Sequence, residues 1–225
     1  MQTNKFYATA LALLFAYSDS ALAAVNIIDQ TYGVGAGSFE LGAYSQNSGN
    51  ASNFMHLANS STTITGWTVG GPDGIDWMST PSHSAYDGSH SIDLGGVSHF
   101  AASSIGSVTT TIPTAIGLTY DISFVAYIFG PDPVTAFVTA GDLNQEFSPG
   151  STLDTVNPPW TTFQYSFVAL SDFTAITFAT YNSGGFSPVI DNVVVAVPEP
   201  SSALLGFLFG FGLLTKRSRP QNRRG

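Results

Sequence analysis

The sequence predicts an all-β protein built as a single β-sandwich. Short runs with period-two alternation of apolar and polar residues recur, separated by Gly, Pro, Asn and Asp. The runs are rich in aromatic and β-branched residues, the vocabulary of strands. No long stretch carries helical periodicity, and no internal repeat marks a propeller or solenoid.

Residues 25–28 read as a short first strand, and 38–41 start another after a glycine-rich segment at 32–37. Residues 42–61 are polar and read as a long loop. Runs at 64–70 and 75–78 carry Trp67 and Trp77, and 91–94 is short. Residues 107–112 run into Pro113. The strongest strand is 118–129, with Tyr120, Ile122, Phe124, Ala126 and Ile128 on one face and Thr119, Asp121 and Ser123 on the other. Residues 134–140 read as its hairpin partner across Gly130-Pro131-Asp132-Pro133. In 162–169, Phe163, Tyr165, Phe167 and Ala169 alternate with polar residues, and 173–181 and 188–197 complete the set.

The two ends are of another kind. Lys5 precedes an apolar run at 6–17, and Ala21-Leu22-Ala23 supplies a small-x-small cleavage pattern. Residues 1–23 therefore read as a signal peptide. At the other end, Val197, Pro198, Glu199, Pro200 and Ser201 lead into an apolar run at 203–214, then Lys216, Arg217, Arg219, Arg223 and Arg224. Twelve residues fall short of the roughly 17–25 of an ordinary spanning helix. A basic flank marks the side that stays cytoplasmic. The predicted organisation is a signal peptide (1–23), a sandwich domain (24–196) and a C-terminal segment (197–225).

All six Lys and Arg lie in these two end segments, leaving none between Ala24 and Pro200, whereas 13 carboxylates lie between Ala24 and Pro198. Such a body repels phosphate backbones and excludes nucleic acid binding. It has no Lys for a Schiff base and no Arg to clamp a phosphate or carboxylate. Cysteine is absent, so the fold rests on its core or on a metal rather than on disulfides.

Residues 197–225 resemble the PEP-CTERM sorting signal of Gram-negative bacteria, through Val197-Pro198-Glu199-Pro200-Ser201, the apolar run rich in Leu, Phe and Gly, and the Arg-rich end. The resemblance implies an exported protein, held transiently in the inner membrane by a short apolar sorting helix. An exosortase-type enzyme would process it for the cell surface or extracellular matrix, in an organism that makes extracellular polysaccharide.

The body carries a second resemblance. Ser38-Phe39-Glu40, Gly66-Trp67-Thr68-Val69, Ile75-Asp76-Trp77 and the run from Tyr86 through Asp93 to Leu94 occur in order, followed by Thr119 to Phe124, Trp160 to Phe167 and Val189-Ile190-Asp191-Asn192-Val193. This pattern resembles the choice-of-anchor C family of bacterial surface domains, and the related uncharacterised domain of plant cell-wall proteins. Both are similar to galactose-binding-like jelly rolls, the fold of many carbohydrate-binding modules. The start departs from the pattern, with Ala36-Gly37 where the family has Asn-Gly.

That resemblance implies one structural calcium ion, held by Glu40 and Asp191 with Asp93 as a third candidate. Strand parity with Val193 and Val195 reads Asp191 as partly buried, and a buried carboxylate in a body without Lys or Arg needs some other partner. The alternative is that Asp191-Asn192 caps a turn and Glu40 is solvated. Trp67, Trp77 and Trp160 are flat surfaces for a sugar, yet their strand-like settings favour core packing. Glycan contact is expected instead from the loop carrying His83, Tyr86, Asp87 and His90.

No nucleophile elbow, cysteine nucleophile or HExxH pair is present, so the chain reads as a non-enzyme. A pair of facing carboxylates is a tertiary property and stays open at this stage. The expected function is non-catalytic carbohydrate binding in the exopolysaccharide matrix or envelope. A purely structural matrix protein is the alternative, and a polysaccharide-acting enzyme the third.

Overall fold

The computed structural model describes residues 25–46, 54–80, 83–96, 105–131, 134–180 and 186–198. The expected signal peptide lies outside them, as do Glu199, Pro200 and Ser201, the apolar run and the basic tail. Among the described residues no helix is long and apolar enough to cross a membrane.

Two sheets pack face to face. The first runs β1 (Phe54–Leu57), β3 (Ile75–Ser79), β4 (His90–Asp93), β12 (Pro188–Ala196), β6 (Thr119–Phe129) and β10 (Thr161–Val168), with β9 (Ser151–Thr152) joined to β6 in parallel. The second runs β2 (Thr68–Gly70), β5 (Ser107–Pro113), β11 (Phe173–Thr180), β7 (Ala136–Ala140) and β8 (Leu143–Phe147). Phe124 of β6 lies at the centre. Its ring centroid is 4.8 Å from Phe178 of β11 and 4.9 Å from Phe147 of β8, both across the sandwich. The expected core face of β6 is buried, and the all-β sandwich stands.

Four local expectations are corrected. Residues 25–28 do not form a strand, because Asn26 caps a helix, α1 (Ile27–Tyr32). The Asn26 amide also donates to Val193 O at 3.0 Å and accepts from Val195 N at 3.1 Å, which ties α1 to β12. Residues 38–41 do not start a strand, because Ser38 and Phe39 close a turn over residues 34–39 in which Phe39 has φ 60°. Two indoles secure this segment, Trp67 Nε1 donating to Ala36 O at 2.8 Å and Trp77 Nε1 to Phe39 O at 3.1 Å. The polar segment 42–61 contains β1, whose Leu57 is buried opposite Ile75. Finally, β7 is no hairpin partner of β6, because β12 and β10 already fill both edges of β6. The chain crosses to the other sheet, where β7 pairs with β11 and β8.

The outer face of the seven-stranded sheet departs from simple alternation. Val125 and Tyr127 of β6 point away from the core, yet both are buried, whereas Asp121 on the same face is exposed. The difference lies in two loops that roof only one half of the face.

Candidate functional site

The roof is formed by residues 83–89 and 153–160. Ser84 N donates to Thr155 O at 2.9 Å, which joins the two loops. His83 Nδ1 lies 3.0 Å from the Tyr127 hydroxyl. Trp160 packs edge-on against Tyr127 with centroids 4.6 Å apart, and Tyr86 packs against Trp160 at 6.1 Å. Burial, with the Asp93 charge added, pushes the Tyr127 phenol well above its usual range, so it stays protonated.

Beside the roof the face is open. A cavity of about 380 Å³ lies there, lined by Asp121, Ser123, Gln164, Ser166, Val194 and Ala196, and bordered by Val197 and Pro198. Strand register builds it. Ser123 pairs with Gln164 on one side and Val194 on the other. One step along, Asp121 pairs with Ser166 and Ala196, and Ser166 Oγ donates to Asp121 Oδ1 at 2.7 Å. The outward-facing side chains are thus polar on β6 and β10 and apolar on β12, and Ile122 and Tyr165 of the same two strands also border the cavity. Trp160 directly precedes β10, so the exposed ring of Tyr86 and the flank of Trp160 lie roughly 13 Å up the strand from Gln164.

The loop 86–90 is held from beneath by two carboxylates. Asp191 is fully buried; its Oδ2 accepts from Tyr86 N at 2.7 Å and Asp87 N at 3.0 Å, and Oδ1 from Asn192 N at 2.6 Å. Glu40 Oε1 accepts from Ser89 N at 2.8 Å and His90 N at 2.7 Å, while Oε2 meets Ser89 Oγ and His90 Nδ1, each at 3.1 Å. Gly88 between them has φ 74°, and a Cβ there would lie 2.5 Å from Glu40 Cδ, so only glycine fits.

The structure therefore brings Glu40 and Asp191 to one loop, but not as a calcium site. Calcium takes six to eight oxygen ligands, and these oxygens face N–H donors. Asp93 is elsewhere engaged, accepting from Gly95 N at 2.9 Å and from the Ser187 hydroxyl. Among the described residues no group of three or more His, Cys, Asp or Glu could hold a metal ion, and these residues do not fit one. The expected burial of Asp191 is correct for a different reason. A bulge between Asp191 and Val194, with Asn192 at φ 50°, resets the alternation. Asp191 faces outward with Val125 while Val193 and Val195 enter the core.

The four expected glycan residues divide. Tyr86 and Asp87 are exposed at the loop crest. His83 is buried against Tyr127, and His90 is packed against Tyr44 and Trp77 with centroids 4.8 and 5.1 Å away. Asp76 and Asp93 are direct cross-strand neighbours, yet both are buried, and His56 Nδ1 meets Asp76 Oδ1 at 2.9 Å. The groove residues were not expected from sequence, although the polar alternation at 121 and 123 and at 164 and 166 was visible.

The two loop-holding carboxylates titrate in opposite directions. Burial pushes the Asp191 carboxyl up from 3.8 to about 7, against the pull of its three backbone donors. Burial also raises Glu40, but the Ser89 N–H and the His90 ring and N–H outweigh it and leave that carboxyl below its usual value. A raised carboxyl stabilises the fold below its unfolded pKa, and that contribution is lost as pH rises through about 7. A lowered one stabilises above about 4.5, and that contribution is lost as pH falls below it. Melting curves for the wild type and Asp191→Asn, recorded from about pH 2.5 to 8, will run parallel at the two ends and differ in slope between about pH 4 and 7. The variant will lack the downward trend towards neutral pH, and curves parallel throughout would contradict the assignment.

Residues 34–196 match the model of a family described as "Protein of unknown function (DUF642)". No curated protein matches the chain. Solved structures similar to it include TmCBM61 in complex with β-1,4-galactotriose, 16% identical, covering 58% of this chain and 88% of that one at a TM-score of 0.45. A family 35 carbohydrate-binding module from Clostridium thermocellum is 13% identical, covering 57% and 90% at 0.42. The module CBM35 from Paenibacillus barcinonensis is 14% identical, covering 59% and 93% at 0.39.

Proposed function

The chain belongs to the DUF642 family, and we propose that its open groove binds a neutral polysaccharide without acting on it chemically. The observation that carries this reading is the lining. Gln164 both donates and accepts, Ser123 and Ser166 do the same, and Asp121 accepts only. That set suits a ligand covered in hydroxyls. With no Lys or Arg in the body, nothing here would neutralise a uronic acid or sulfated chain. The apolar side formed by Val194 and Ala196 suits a ring face. The lining holds a single carboxylate, whereas glycoside hydrolysis of the usual kind needs two flanking the bond.

On this reading the domain works outside the cell. Residues 1–23 direct export. Val197, Pro198, Glu199, Pro200 and Ser201, with the apolar run and basic tail, form the sorting signal of an exosortase-type enzyme. The protein then resides in the envelope or the exopolysaccharide matrix.

The test is retention of the purified protein on a panel of insoluble and immobilised neutral glycans. At least one will retain it, and chelator will leave retention unchanged. Gln164→Ala and Asp121→Ala will each weaken retention about tenfold, the loss of one or two hydrogen bonds, with melting altered little because both sites are exposed. A protein with native melting that no glycan retains would overturn the proposal in favour of a structural matrix role.

A further inference from the structure

Among the described residues, ten large apolar or aromatic side chains are exposed, and five of them gather at one pole: Ile116, Leu118, Leu170, Phe173 and Val197. Strand direction defines this pole. β6 begins there, and β12 and β10 run against it and end there, with Ala196 opposite Asp121 and Val168 opposite Thr119. β5 ends at the same level, Pro113 opposite Phe173.

The two loops that carry these side chains are fastened to each other. Thr114 N donates to Asp172 O at 2.9 Å, Gly117 N to Ala169 O at 2.8 Å and Ala169 N to Leu118 O at 3.0 Å. Thr114 Oγ1 donates to Ser171 O at 2.8 Å. The backbone is thus spent on holding the loops together, while the large side chains point out, Ile116 66%, Leu170 64% and Phe173 67% exposed. Single exposed apolar residues are ordinary, but a group of this kind marks a contact surface.

What covers it follows from where the chain goes next. β12 delivers Val197 and Pro198 to this pole. In sequence, the apolar run at 203–214 begins five residues beyond Pro198, and the five cations follow it. Five residues span at most about 17 Å. If the run enters a bilayer, the tether holds this pole, and no other, against the bilayer surface. The effective concentration of a short tether makes weak apolar contacts sufficient.

We propose that this pole is a bilayer-contacting tip. Ile116, Leu118, Leu170 and Phe173 insert into the interface of the membrane that holds the C-terminal run, and the sandwich stands on that surface. The proposal rests on the reading of residues 197–225 as a membrane-sorting segment. Asp142 and Asp172 lie in the loops of this pole and no cation does, so the contact is apolar, with an uncharged headgroup surface.

The absence of cysteine allows one fluorophore to be placed at will. The full chain carrying Ile116→Cys or Leu170→Cys, or Val156→Cys in the loop at the opposite end, is labelled with an environment-sensitive dye. Each is reconstituted into zwitterionic vesicles with a nitroxide quencher on a shallow acyl position. The expected result is flotation of all three with the vesicles, with quenching several-fold stronger at 116 and 170 than at 156. Flotation with equal quenching at the three positions overturns the tip and leaves the anchor intact. Failure to float overturns both. Resonance energy transfer between labels at 170 in neighbouring molecules, without lipid quenching, assigns the surface to a second copy and overturns the proposal.

Discussion

Replacing Asp191 by alanine will lower the melting temperature by about 6–12 °C, the shift that roughly 3 kcal/mol produces in a domain of this size. The carboxyl accepts from Tyr86 N, Asp87 N and Asn192 N, and it is fully buried. Alanine leaves three backbone donors without an acceptor, each costing about 1–3 kcal/mol if water cannot reach it. Loss at the low end for all three gives the quoted figure. Asp191→Asn will cost less, because its single carbonyl oxygen can still serve Tyr86 and Asp87. The same ranking must appear in amide exchange, where Tyr86 and Asp87 lose protection in the alanine variant and keep most of it in the asparagine variant. Unchanged protection in Asp191→Ala would mean that the roof is held by other contacts.

The second large effect is expected at Trp77. The ring is buried in the core cluster, against Tyr44 at 5.2 Å and His90 at 5.1 Å, and its Nε1 donates to Phe39 O. Trp77→Ala removes the largest class of buried side chain and will cost about 3–5 kcal/mol. Trp77→Phe keeps most of the packing and deletes the hydrogen bond that secures Phe39 in its positive-φ turn. It will cost about 1–2 kcal/mol. Chemical denaturation separates the two. Equal midpoints for the two variants would mean that the indole N–H, rather than ring volume, carries the effect.

Much of this was readable in the residues themselves. The alternation in β6 and β10 identified their core faces, and the strand-like settings of Trp67 and Trp77 marked them as core, whereas Trp160, read the same way, is half-buried in the roof on the outer face. The face of a strand is local information, carried by a period of two. Its neighbour is not. The groove joins residues 121 and 123 to 164 and 166 and to 194 and 196, and only the pairing of three distant strands makes them adjacent. The same limit misassigned β7 to β6, since nothing local says that both edges of β6 are taken. Glu40 and Asp191 illustrate a different limit. Without Lys or Arg nearby, a buried carboxylate points to a metal, because backbone N–H groups have no signature in sequence. Here those groups are the partners.

That manner of holding the roof has an evolutionary consequence. Asp191 and Glu40 grip the amides of residues 86, 87, 89 and 90, and of the side chains in that run only Ser89, His90 and the Cβ-less Gly88 are committed to the grip. Positions 86 and 87 contribute main chain to the clamp and project their side chains into solvent. Lineages can therefore exchange Asp87, and Tyr86 for another residue that keeps the contact with Trp160, without loosening the clamp, and so retune what the surface greets while inheriting the same scaffold.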